Sequence, residues 1–255
     1  MSIFLQIASF RGSRQSFLDG FMRATDHVAI GGKVAAVFGF GDVGRGVAFG
    51  LREIGAQVFV VEVNPARALE ASMEGFPVRT VEDVVSTADV FVTATMNREV
   101  ITVQHMKRMK NNAIVLNMGH FENEIDIEGL KAYPGVRRVT IKPLISDRFM
   151  FPESNRAIIV LAEGRKLNSA CASGHPSFFR SLSLTNHVFS QIALWNERKS
   201  SKYERMVYVL PKNLDEKVAR LHLVHLGAKL TRLSSDQATY LNVPVEGPFN
   251  RDFYQ

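Results

Sequence analysis

Short, mostly apolar runs alternate along the chain with longer segments whose apolar residues recur at helical spacing. Val34–Phe38, Gln57–Val61, Val90–Thr93 and Ala113–Asn117 read as buried strands. Between and after them, residues 42–54, Pro65–Met73, 81–87 and 103–109 read as helices, and Asn64 with Pro65 forms a good cap and first-turn pair for the second. A helical stretch over residues 14–27 precedes the first strand, and Gly31-Gly32 marks a turn. This alternation predicts an α/β fold built on a doubly wound parallel sheet. Beyond Pro134, residues 136–141 and Ala157–Leu161 read as later strands at a sheet edge. Past Gly164 the texture changes. Ser177–Asn196 is a long helical pattern, apolar at Phe178, Leu182, Val188, Ile192 and Trp195. Residues 206–210 are strand-like, residues 214–226 helical, and residues 247–255 form a tail carrying Phe249, Phe253 and Tyr254, enough apolar area to suggest that it docks.

The turn after the first strand carries candidate chemistry. It reads Gly39-Phe40-Gly41-Asp42-Val43-Gly44, and Glu62 closes the next strand about twenty residues on. In such a turn Gly39 permits the tight bend, Gly41 lets backbone approach a pyrophosphate, and Gly44 allows close helix–strand packing. The pyrophosphate then sits at the positive end of the following helix, and the acid accepts from a ribose hydroxyl. A bare glycine pattern is weak, but here strand, helix and acid all stand in place. Dinucleotide binding by a Rossmann-type domain follows.

Bulk properties narrow the surroundings. The 255 residues, 46% hydrophobic, suffice for one large or two small packed domains. No apolar run is long enough for a membrane span, and the first residues lack the pattern of a secretory signal. Cys171 is the only cysteine, so neither an intrachain disulfide nor a Cys-rich zinc site is expected, and the cytosol is the default compartment. The net charge of +6 is mild. Its clusters lack the interleaved aromatics of a nucleic-acid surface; solvated helix faces explain them best, with an acidic protein partner as the alternative.

Separated segments then carry a family resemblance. They include Ser16-Phe17-Leu18-Asp19-Gly20, Ala68-Leu69-Glu70-Ala71-Ser72-Met73-Glu74-Gly75, Asn117-Met118-Gly119-His120-Phe121 and Glu124-Ile125-Asp126. Leu161-Ala162-Glu163-Gly164-Arg165, Gly174-His175-Pro176-Ser177-Phe178, Gln191-Ile192-Ala193-Leu194-Trp195 and Gly247-Pro248-Phe249 follow in order. From about Ser9 onward the chain resembles the S-adenosylhomocysteine hydrolases. That resemblance implies tightly held NAD, which oxidises the ribose 3′-hydroxyl of an adenosine-type nucleoside. The ketone acidifies the C4′ proton, the 5′ substituent leaves, water adds, and the stored hydride restores the alcohol. It also implies roles: Gly39, Gly41, Asp42, Val43 and Gly44 at the pyrophosphate, Glu62 on the adenosine ribose, Thr93, Thr95 and Asn117 towards the nicotinamide, and Asn168 on the nicotinamide amide. His120 and His175 match histidines bordering the substrate, although ordinary loop histidines remain the plain alternative.

Departures from the family pattern are as informative. Met96 stands where the family has a glycine, and Arg67 where it has an asparagine. An arginine there suggests a 2′-phosphate, but Glu62 would repel one, so the expected cofactor stays NAD. Residues 8–13 replace the family's Asp-Asn-Leu-Tyr-Gly-Cys, with Ala8 at the aspartate and Phe4 at the catalytic lysine. Asn250 replaces a lysine that reaches a neighbouring subunit's NAD, while Tyr254 is kept.

The implied organisation is an N-terminal segment (1–12), an NAD-binding domain (13–173), a helical remnant of the substrate domain (174–223) and a C-terminal oligomerisation segment (224–255). The expectation is a homo-oligomer, or a hetero-oligomer in which a second chain supplies the other half of the substrate domain. A non-catalytic NAD-binding regulatory module, and a different NAD-dependent nucleoside oxidoreductase or dehydratase, stay open.

Overall fold

Every position of Val34–Phe38 is apolar, and all but Val34 are fully buried. A strand with no polar side to turn outward must be covered on both faces. The computed structural model, which describes residues 3–200, 202–209 and 211–249, shows how. In chain order its first unit (residues 9–176) holds most of α1 (Ile3–Thr25), then β1 (Val34–Phe38), α2 (Asp42–Glu53), β2 (Gln57–Val61), α3 (Pro65–Met73), α4 (Val81–Val84) and β3 (Val90–Thr93). It continues with α5 (Val103–Arg108), β4 (Ala113–Asn117), α6 (Ile127–Ala132), β5 (Arg137–Lys142), β6 (Ser146–Met150), β7 (Ala157–Leu161) and α7 (Leu167–Ala170). Among the described residues the strands form one seven-stranded sheet in the order β2-β1-β3-β4-β7-β6-β5. Ala35 and Val37 of β1 enter one apolar layer with Phe17, Phe21, Val47 and Leu51. Ala36 and Phe38 enter the other with Phe91, Met106, Val115 and Leu130. The period of two along the strand thus sorts one run into two cores.

Two glycines on one face of α2 let α1 lie close. A Cβ at Gly46 would strike the Phe10 carbonyl, and one at Gly50 would come within 3.2 Å of the Arg14 carbonyl. Neighbouring Phe17 and Phe21 fill the layer beneath, and Arg14 bonds Glu53 at its edge.

The parallel α/β reading holds for β2, β1, β3, β4 and β7, and is corrected at one side of the sheet. Ala157–Leu161 is no edge strand: it pairs parallel with β4 and antiparallel with β6. The edge is β5, antiparallel to β6. Sequence patterning missed β6 because Ser146-Asp147-Arg148 looks like a turn. Its Asp147 is nevertheless buried, bonded by Arg138 at 2.8 Å and by the Thr140 hydroxyl at 2.9 Å from β5. The first helix begins at Ile3 rather than residue 14, and the helix expected over 81–87 stops at Val84.

A second unit comprises residues 1–8 and 177–255. It contains α8 (Ser177–Asn196), as expected, with α9 (Lys212–His225) and the unanticipated α10 (Ser235–Leu241), capped reciprocally by Ser234 and Gln237. Leu182 and Val218 centre a small core joined by Ile7, Phe178 and Phe189. The strand-like run at 206–210 is not a strand over its described residues: Met206, Val207 and Val209 are exposed and pair with no strand, so β propensity finds no ladder. No helix among the described residues is long and apolar enough to cross a membrane.

Asp19 ties α1 to the far end of its unit. Its carboxylate accepts from Arg23 Nε at 2.7 Å and from the Ser173 amide and hydroxyl at 2.7 and 2.8 Å. The Arg23 bond, then the Ser173 amide, hold its pKa down to about 2, against an ordinary 3.8. A depressed carboxylate contributes stability above the unfolded pKa and loses it as pH falls through the folded one. Asp19→Asn should therefore lower stability by roughly 1 kcal/mol at neutral pH, limited by solvent screening of a partly exposed pair. The difference from wild type should vanish between about pH 4 and pH 2, read by denaturant titration across that range.

Candidate functional site

Strand order reverses between β1 and β3, since β2 lies on one side of β1 and the chain next returns on the other. In an open α/β sheet the crevice outside the carboxyl ends at that point receives ligands. Three loops meet this criterion here: residues 39–44 after β1, 94–97 after β3 and 118–121 after β4.

The first loop is shaped by contact. Gly39 has φ of 91°, and a Cβ there would lie 2.7 Å from the Ala94 carbonyl oxygen. The Gly39 carbonyl in turn leaves no space for a side chain at Gly44. Gly41, by contrast, faces open space, with nothing within 4 Å of a Cβ built on it. It is the N-cap of α2 and makes no side-chain hydrogen bond, so the first amides of the helix, at Asp42 and Val43, have no capping side chain to accept from them. An uncapped helix start above a bare glycine fits a pyrophosphate.

Among the described residues, Glu62 is fixed by main chain alone. Its Oε2 accepts from the Phe40 amide at 2.7 Å, and its Oε1 from the Val63 and Asn64 amides at 2.8 and 2.9 Å. The half-buried acid is therefore locked beside the glycine turn with lone pairs to spare for ribose hydroxyls. Arg67 does not turn towards it. Its guanidinium bonds Glu70 Oε2 at 3.0 Å.

At the ends of β3 and β4, Thr93 and Asn117 lie side by side, both fully buried, with the threonine hydroxyl donating to Asn117 Oδ1 at 3.2 Å. Asn117 also accepts from the Gly119 amide at 2.6 Å and donates to the carbonyls of Phe121 and Gly164. It thus shapes the turn presenting His120, whose exposed ring stands edge-on to Phe121.

Glu124 is the residue that sequence reasoning missed. Fully buried, it accepts from the Thr95 amide and hydroxyl at 2.9 and 2.8 Å and from the Met96 amide at 2.9 Å. That clamp holds Met96 at φ of 58°, in the left-handed region where the family pattern has glycine. The available signal for Glu124 was its place in the family-resembling segment Glu124-Ile125-Asp126.

Asn168 is 6% exposed, and its Nδ2 donates to the Ser16 hydroxyl at 3.4 Å. Its Oδ1 is buried with no partner among the described residues. An acceptor left without a donor costs about 1–3 kcal/mol, and a nicotinamide carboxamide would supply the missing N–H. His175 packs its ring over Gly12, where any Cβ would collide with it. Asn250 and Tyr254 lie outside the described residues.

Comparison with known proteins fixes the family. The NAD-binding-domain profile of S-adenosyl-L-homocysteine hydrolase matches residues 9–174. The chain belongs to the S-adenosylhomocysteine hydrolase family. Adenosylhomocysteinases of Triticum aestivum and Solanum lycopersicum are each 59% identical to it over 244 residues, 96% of this chain and 50% of theirs. The chain therefore spans half the length of these curated relatives, and within it lies the family's NAD-binding domain. Solved structures resemble it more loosely. Dipicolinate synthase A chain of Bacillus subtilis gives a TM-score of 0.44 at 18% identity, over 50% of this chain and 44% of that one. Shikimate dehydrogenase of Aquifex aeolicus gives 0.41 at 19%, over 48% and 47%.

Two variants test the loop that Glu124 holds. Glu124→Gln turns an amide NH2 donor towards the Thr95 or Met96 donors in place of an accepting oxygen, and should cost roughly 1–3 kcal/mol of folding stability while weakening NAD binding. Met96→Gly removes the left-handed penalty and should stabilise by roughly 0.5–1 kcal/mol. Denaturant midpoints check both, and calorimetric NAD titration checks the first.

Proposed function

We propose that this chain supplies the NAD-holding half of an adenosylhomocysteinase-like active site. Its substrate is S-adenosylhomocysteine or a related 5′-substituted adenosine. The observation that carries this reading is the buried, unpartnered Asn168 oxygen, in the same unit as the uncapped α2 start and the locked Glu62. These are an acceptor for the nicotinamide end, a cradle for the pyrophosphate and an acceptor for the adenosine ribose. NAD bound there would supply the hydride acceptor and donor for oxidation and re-reduction at the ribose 3′ carbon, around elimination at C4′ and C5′.

The chain's own residues would divide the remaining work. Gly39, Gly41, Asp42, Val43 and Gly44 seat the pyrophosphate. Glu62 reads the ribose, and Thr93, Thr95 and Asn117 shape the nicotinamide end. His120, on an exposed loop held by Asn117, and His175, over Gly12, would serve as the substrate-side groups that move or hold protons. Phe4 and Ala8 can take no proton from the 3′-hydroxyl. A substrate-binding half lying outside these 255 residues, as a partner chain or further polypeptide, completes the site. The domain reading follows: NAD-binding residues 13–173, a substrate-domain remnant at 174–223, and an oligomerisation segment at 224–255 that brings Asn250 and Tyr254 to a neighbouring NAD. We place the complex in the cytoplasm.

Native mass spectrometry of the protein from its own source tests this directly. The expected result is bound NAD on an assembly that also contains a substrate-domain-sized segment or chain. NAD on a homo-oligomer of this chain alone would instead support a regulatory module, the reading favoured by Phe4 and Ala8 at the proton-transfer positions. In the complete assembly, His120→Ala should lower turnover by about 10²–10⁴-fold, the usual worth of a proton-transfer group, while bound NAD content stays unchanged. Full activity in that variant would return His120 to an ordinary loop histidine.

A further inference from the structure

Arg67 occupies the position from which a dinucleotide fold can neutralise a 2′-phosphate. It sits in the first turn of the helix that begins just after the ribose acid, its amide held by Asn64 Oδ1. The guanidinium is nevertheless committed elsewhere. Glu70, one turn on, takes it through Oε2 and is itself anchored through Oε1 by Arg45 Nη1 at 2.7 Å. Arg45 belongs to α2, the helix that follows the phosphate turn. Its other nitrogen bonds Glu74 at 2.7 Å, and its guanidinium lies 5.2 Å from the centre of the Phe10 ring. Glu70 therefore stands between two arginines, one of them tied to Glu74 as well, and holds the more exposed one.

We propose that Glu70 is a cofactor-specificity residue: by holding Arg67, it withholds the one cation on this turn placed to receive a 2′-phosphate, and so reinforces the rejection of NADP by Glu62. The proposal rests on the reading that Glu62 accepts the adenosine ribose hydroxyls. Two carboxylates then act in series. Glu62, fixed by three amides, cannot swing away from a 2′-phosphate and repels it. Glu70 ensures that no guanidinium offsets that repulsion. The site is thereby a latent NADP site, two substitutions from accepting the phosphorylated cofactor, although the arginine it needs is already present.

The test is calorimetric titration of the NAD-stripped full chain with NAD and with NADP, with thermal denaturation confirming that each variant folds. Glu70→Gln should raise the affinity of NADP relative to NAD by about fivefold, the scale of a partly exposed ion pair released, and leave NAD affinity unchanged. Glu62→Ser with Glu70→Gln should raise the ratio by about a hundredfold, and adding Arg67→Met should abolish the share due to Glu70. Arg67→Met alone should leave NADP as weakly bound as in wild type, because the arginine is already withheld. An unchanged ratio on Glu70→Gln, with and without Glu62→Ser, would overturn the proposal, as would a loss of NADP affinity in Arg67→Met alone. A Glu62→Ser protein that binds NAD as well as wild type would overturn the ribose reading itself, a distinct result.

Discussion

Ala35 and Val37 point into one apolar layer and Ala36 and Phe38 into the other, and this two-sided burial governs where everything polar can sit. A strand covered on both faces can expose polar chemistry only at its ends. Thr93, Asn117 and the glycine turn all fall at carboxyl ends of parallel strands. Glu62 closes β2 in the same way and reaches back to the Phe40 amide, so the acid and the phosphate turn are one hydrogen-bonded unit. The position of the site is thus a consequence of apolar runs that carry no chemistry themselves.

The polar groups that do enter the interior are few and mostly satisfied. Asn117 uses both ends of its amide, Glu124 both oxygens, and Asp147 pairs with Arg138 and Thr140. Such groups hold loops in one conformation, because a low-dielectric surrounding makes any rearrangement that strands them costly. Against that background the Asn168 oxygen is an exception, a desolvated acceptor waiting for a donor that the described residues do not provide.

The β-α-β core was legible from sequence because each of its strands is apolar apart from a single polar end residue at most, and each helix keeps its period. The glycine turn with Glu62 was legible because its parts have fixed spacing. Less was legible where a polar residue is buried by a distant partner. Asp147 made β6 look like a turn, since Arg138 lies on another strand. Glu124 carried no role in the sequence beyond its place in a family-resembling segment, since its partners belong to the loop after β3. The run at 206–209 failed in the opposite sense: its composition suits a strand, and among the described residues none pairs with it.

The conformation of Met96 bears on how such loops change over time. Its backbone is dictated by a buried anion that grips the amides of residues 95 and 96, not by the freedom of the residue at the bend. Once a carboxylate sets the path, the side chain at the bend can drift from glycine to methionine with the cofactor-facing contour preserved and only resilience diminished. Divergence at a glycine is then a poor guide to lost activity; divergence at the acid behind it would be the better one.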